Sequence, residues 1–239
     1  TGDVSVVTNA AADTVTIANA ATGDVAIDLG AGNDTLLVLN AALAAATFAA
    51  NGGEGTDTIK LATGLNISAV DFSNVVGFEK LALAATSGST VSAAQIEKFS
   101  FLDLATGVAS ATLKVVQTGD KKTLDLSALS VSNKANTTID VAVNKFETIK
   151  ASGTKDIFTF VAIDTAVVEI SSFTKTGDNK DTIKLGVANT LYATSTDASA
   201  AVKAALGAGA AADGLASASV TNGVLTLNGT QATKDALDT

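Results

Sequence analysis

The sequence predicts an all-β fold, a parallel β-solenoid of stacked coils, on three observations. Blocks of the N-terminal region recur at a fixed offset: Thr1-Gly2-Asp3-Val4 returns as Thr22-Gly23-Asp24-Val25, Asp13-Thr14 as Asp34-Thr35, and Asn19-Ala20-Ala21 as Asn40-Ala41-Ala42, each 21 residues on. A period of this size marks supersecondary units too small to bury an apolar face alone, which therefore stack on their neighbours. Second, short segments alternate between apolar and polar residues with the period of a half-buried strand. Third, the interior must be filled by small residues, since aromatics are 4% of a chain whose mean hydropathy is +0.37.

Taken in order, the first signal after the opening repeat is the alternating segment Val25-Ala26-Ile27-Asp28-Leu29, followed by the loop Gly30-Ala31-Gly32-Asn33-Asp34-Thr35. A second loop, Gly52-Gly53-Glu54-Gly55-Thr56-Asp57-Thr58-Ile59-Lys60, fits the pattern G-G-x-G-x-D-x-U-x (U apolar) at every position, and Leu29 to Leu37 misses it only at the first glycine. This nonapeptide is that of calcium-binding parallel β-rolls. Its glycines turn the backbone sharply with φ > 0, its aspartate offers the hard anionic oxygen that calcium prefers, and its apolar residue enters the core as the next strand begins. Candidate calcium-ligating positions are therefore Gly30, Gly32, Asp34, Gly53, Gly55 and Asp57, with Asn33, Asp13 and Asp181 as weaker members. The competing reading is a pair of surface turns with Asx caps.

Further strands are predicted at Thr58-Ile59-Lys60-Leu61, Lys80-Leu81-Ala82-Leu83, Thr112-Leu113-Lys114-Val115, Thr123-Leu124-Asp125-Leu126, Thr138-Ile139-Asp140-Val141 and Thr182-Ile183-Lys184-Leu185, with aliphatics inward and charges outward. Phe78-Glu79-Lys80-Leu81, Ile96-Glu97-Lys98-Phe99 and Phe146-Glu147-Thr148-Ile149 form a second phrase that opens strands. Residues 1–150 are thus assigned to a solenoid and 151–239 to a C-terminal β-rich region. There Thr176-Gly177-Asp178-Asn179-Lys180-Asp181 reads as a decayed loop, because Asn179 stands where the second glycine belongs. A helix is predicted at 196–206, a hairpin at 220–227 around Asn222-Gly223, and a second helix from Gln231 to Leu237. A chain that starts at Thr1 without Met and stops in a helical pattern reads as an excised, truncated piece.

Composition removes most chemistry. The chain has no His, Cys or Arg, so imidazole and thiol catalysis and bidentate phosphate clamps are gone. A sugar site would lack aromatic platforms, with one Tyr and no Trp. No enzyme is expected. A net charge of −9 disfavours nucleic acid and anionic membranes, and no apolar run is long enough to span a bilayer. Without disulfides, calcium would serve as the staple.

The two glycine loops, the following Gly77-Phe78-Glu79-Lys80-Leu81, and the Ala/Thr/Val-rich cysteine-free background resemble the RTX-type surface-layer proteins of Gram-negative bacteria. Ile170-Ser171-Ser172-Phe173 ahead of Thr176-Gly177-Asp178, and Val220 to Leu227, are similar to the C-terminal region of that family. The resemblance implies type I secretion without a cleaved signal, an extracellular place on the bacterial cell surface, and calcium-dependent self-assembly into a lattice. It further implies anchoring to a cell-surface glycan through regions outside this piece. An adhesin or matrix module, and a calcium β-roll accessory domain of a secreted enzyme, are the alternative functions.

Overall fold

A computed structural model describes residues 2–18, 23–39, 47–84, 88–143, 146–160, 168–174, 180–185, 215–221 and 224–229. The strands are short, as the alternating segments require. In chain order they are β1 (Val4–Val7), β2 (Thr14–Ile17), β3 (Val25–Asp28), β4 (Thr35–Val38), β5 (Phe48–Asn51), β6 (Thr58–Leu61), β7 (Asn74–Val76), β8 (Lys80–Leu83) and β9 (Ser89–Ser92). One helical turn, α1 (Ala93–Ile96), precedes β10 (Phe101–Leu104), β11 (Ala111–Val116), β12 (Thr123–Asp125), β13 (Ser130–Val131) and β14 (Thr137–Ala142). Then come β15 (Thr148–Lys150), β16 (Lys155–Phe160), β17 (Glu169–Ser171), β18 (Thr182–Leu185), β19 (Leu215–Thr221) and β20 (Val224–Gly229).

The fold is a β-solenoid, almost wholly parallel. The chain forms two compact units, Thr1–Lys114 with Leu129–Thr137, and Val115–Ala128 with Thr138–Thr239. In the first unit one sheet runs β1-β3-β5-β7 and another β13-β10-β8-β6-β4-β2. The repeat of the sequence is the register of these sheets: Val4 pairs with Val25, and Thr14 with Thr35. In the second unit, β14, β16 and β18 lie side by side, and β12, β15, β17, β20 and β19 form a further sheet. Pairing there turns antiparallel at β17–β20 and β19–β20.

Because equivalent residues of successive coils pair, inward side chains stack into columns. Leu36, Ile59, Leu81 and Leu102 stand in register and are fully buried. Leu124, Ile149 and Ile170 do the same in the second unit. Removing such a side chain from water is worth about 1.5–3 kcal/mol, so the columns supply the cohesion that aromatic bulk supplies elsewhere. The corners use a short device. Ser68, Ser73 and Ser127 each donate a backbone N–H to the side chain two residues earlier (Asn66, Asp71 and Asp125), and the residue between is tucked inside. Ile67, Phe72 and Leu126 are those buried residues, so an Asx turn doubles as an inward anchor.

The predicted strands at Thr58–Leu61, Lys80–Leu83 and Thr182–Leu185 are observed at those bounds, and the hairpin is observed with Thr221 paired to Val224. The helices predicted at 196–206 and from Gln231 to Leu237 lie outside the described residues. One element differs from expectation. Ile96-Glu97-Lys98-Phe99 does not run into a strand directly but ends α1 and turns. That turn forms because Ser92 and Gln95 make a capping box, each side chain accepting from the other's backbone N–H. Gln95 is buried and its Nε2 donates to the carbonyls of Ile67 and Val70, which ties the turn to the preceding corner.

Candidate metal centre

The glycine loops lie at one corner of the first unit, between β3 and β4 and between β5 and β6. Coil stacks directly on coil here. A β-carbon on Gly53 would stand 1.7 Å from the Gly30 carbonyl oxygen, and one on Gly55 would stand 1.6 Å from that of Gly32. Both glycines also hold positive φ, +99° and +134°, as do Gly30 (+86°) and Gly32 (+145°). Any side chain at Gly53 or Gly55 would collide with backbone, which cannot move aside. The loops are cross-linked by backbone bonds, Glu54 N–H to the Gly30 carbonyl at 2.9 Å and Gly32 N–H to the Glu54 carbonyl at 2.8 Å. Asn33 lends its Oδ1 to Thr56 N–H at 2.9 Å. The predicted loop residues of the two coils are thus brought together.

The aspartates that close these loops stack as well. Asp34 Oδ1 accepts from Asp13 N–H at 2.7 Å, and Asp57 Oδ1 accepts from Asp34 N–H at 2.7 Å. Asp13 therefore belongs to the column although no glycine precedes it. Asp34 and Asp57 are 1% and 0% exposed, and the second oxygen, Oδ2, of Asp13, Asp34 and Asp57 is buried without a hydrogen-bond partner. Burial raises the Asp57 pKa, the Asp34 N–H opposes that shift, and the neighbouring carboxylates of Asp34 and Glu79 add to it. Unpartnered buried oxygens on stacked like charges are costly; a proton or a cation relieves them.

The residues fit calcium in one respect and limit it in another. Hard carboxylate oxygens beside glycine-turn carbonyls are the donors calcium takes, and Asp34 and Asp57 would hold it. Yet among the described residues no group of three or more carboxylates converges on a point. The column spreads its charges one per coil, so an ion would bridge two coils and draw further oxygens from the backbone.

Asp181 lies elsewhere, in the second unit, and its surroundings differ. Its Oδ1 accepts from Asp156 N–H at 2.9 Å and its Oδ2 from Thr174 N–H at 2.6 Å. Asp156 in turn takes Ser152 N–H on Oδ2 at 2.7 Å and Ser152 Oγ on Oδ1 at 2.9 Å. The same amide-to-carboxylate link that joins Asp34 to Asp57 thus recurs, but with every carboxylate oxygen supplied by the protein. Burial, reinforced by Asp181, pushes Asp156 well above the ordinary carboxylate range, and burial carries Asp181 to about 7. Sequence reasoning missed Asp156. It sits one coil before Asp181 at an inward strand position, where an apolar residue is expected, and that mismatch is its only signal.

Comparison of the chain with protein-family models, with curated proteins and with solved structures finds no match.

Proposed function

We propose that this chain is a non-catalytic, calcium-stapled structural module of a surface-layer protein of the RTX type, exported by a type I system to the bacterial cell surface. The observation that carries the reading is the column of Asp13, Asp34 and Asp57, each keeping one buried oxygen unpartnered beside stacked glycine turns. Calcium bound there would neutralise the stacked carboxylates and clamp successive coils. The chain's own residues do the rest. Oδ1 of Asp34 and Oδ1 of Asp57 each fix the amide of the aspartate one coil before, and the glycines allow the close approach that puts carbonyls beside the carboxylates. The lack of His, Cys and Arg supports a structural over a catalytic role. No helix among the described residues is long and apolar enough to cross a membrane. Partners under this reading are further copies of the protein, with attachment to a surface glycan made by other regions.

The test is assembly of the intact protein, followed by light scattering and by electron microscopy of negatively stained sheets. Growth of ordered two-dimensional arrays at millimolar calcium and their dissolution by chelator are expected. A protein that stays monomeric at millimolar calcium overturns the lattice role.

A further inference from the structure

The column has a fourth member that the glycine-loop motif does not contain. Lys80 pairs with Thr58 in the register by which Thr58 pairs with Thr35 and Thr35 with Thr14. Glu79 therefore holds in its coil the place that Asp57, Asp34 and Asp13 hold in theirs. Its Oε2 accepts from Asp57 N–H at 2.9 Å, repeating the bonds by which Asp57 holds Asp34 and Asp34 holds Asp13. At the next coil Phe101 pairs with Lys80, so the equivalent position is Ser100, and the run of carboxylates stops.

The change from aspartate to glutamate has a local cause. Gly77-Phe78 replaces the two-glycine turn ahead of this position, and Glu79 N–H and Lys80 N–H both donate to the Asp57 carbonyl, at 3.2 and 3.0 Å. A side chain one methylene longer reaches the Asp57 amide from that differently shaped turn.

We infer that Glu79 is a ligand-bearing residue of the cation site, and that Asp57 and Glu79 hold a divalent, oxygen-seeking cation between their coils as Asp34 and Asp57 do. Two observations besides the register point there. Asp57 is 0% exposed and keeps Oδ2 unpartnered, and Glu79 is half-buried beside it with its other carboxylate oxygen outside the amide bond. The alternative is that Glu79 is only an amide cap. This inference rests on the calcium reading above, and the experiment separates the two.

Glu79→Gln keeps an oxygen for the Asp57 amide and removes the charge, so a cap survives it and a ligand does not. Wild type, Glu79→Gln and Asp57→Asn are titrated with calcium by isothermal calorimetry, and each is melted in chelator. Glu79→Gln is expected to bind calcium about 10-fold or more weakly, the scale on which site-supporting groups act, while melting at or above wild type in chelator. Wild-type affinity in Glu79→Gln beside lost affinity in Asp57→Asn overturns the role of Glu79 and leaves the site standing. No calcium binding by wild type overturns both.

Discussion

Asp57→Asn separates the two jobs that the structure gives to Asp57. Its Oδ1 satisfies the buried Asp34 N–H, while its Oδ2 is left unpartnered. Asparagine keeps the first oxygen and removes the charge. In chelator the substitution relieves repulsion within the column: two carboxylates one strand spacing apart, about 4.8 Å, repel by about 3 kcal/mol at an effective dielectric of about 20. The variant should therefore melt at or above wild type when calcium is absent. Calcium reverses the order. At about 100 times its dissociation constant a ligand stabilises the folded state by about 2.7 kcal/mol, which for a chain of this size is a shift of about 5–10 °C, and the variant should show little of it. Asp57→Ala is the control. It strands the Asp34 N–H, costing about 1–3 kcal/mol, and so melts below Asp57→Asn in both solutions. The assay is differential scanning calorimetry of the three proteins in chelator and in excess calcium. Equal destabilisation of Asp57→Asn in both solutions would refute the reasoning, because the carboxylate would then act as a hydrogen-bond cap alone.

Gly55→Ala should lower the melting temperature in chelator as well as in calcium, since its β-carbon would stand 1.6 Å from the Gly32 carbonyl at a φ of +134°; the strain alone is about 1–3 kcal/mol, and chemical denaturation measures it. Ile59→Ala, in the middle of a fully buried column, should cost about 2–5 kcal/mol, read as a lower denaturation midpoint at an unchanged slope. The pH dependence in chelator follows from carboxylates whose folded pKa lies above the unfolded 3.8, namely Asp57, Asp156 and Asp181, the last at about 7. The folded state holds their protons where the unfolded chain has lost them, so their contribution is fully present below pH 3.8 and is lost as pH rises through the folded values. Melting temperature should therefore fall between about pH 4 and 7, and Asp181→Asn should flatten that fall. Gln95→Ala should loosen the corner at Ile67 and Val70, whose carbonyls lose the Gln95 amide, and hydrogen exchange of α1 amides should quicken first.

Much of this architecture is written locally. The offset from Asp13-Thr14 to Asp34-Thr35 is the register of β2 on β4, because identical coils bury their faces best when aligned. The stacking of the two glycine loops is legible for the same reason, since a glycine that must touch backbone leaves no choice of residue. What stayed hidden depends on reach across coils. Asp156 lies in β16, a strand that the alternating pattern does not reveal, and only Asp181, one coil on, explains a carboxylate at that inward position. Glu79 was visible as part of a recurring phrase, yet its place in the column follows from the pairing of Lys80 with Thr58, which no local pattern states. The capping box at Ser92 and Gln95 was legible and too short to stand out against strand patterning. The fate of the Asp34 and Asp57 Oδ2 atoms is a matter of burial, which spacing does not encode.

Everything proposed for this chain turns on calcium in the aspartate column. A crystal structure of this chain grown in calcium, with anomalous differences collected on a lanthanide-exchanged crystal, tests it most directly. Density is expected between the coils, at about 2.3–2.6 Å from carboxylate oxygens of Asp34 or Asp57, with glycine-turn carbonyls completing the shell. Clean maps with Oδ2 of both residues facing only water or protein donors would contradict it.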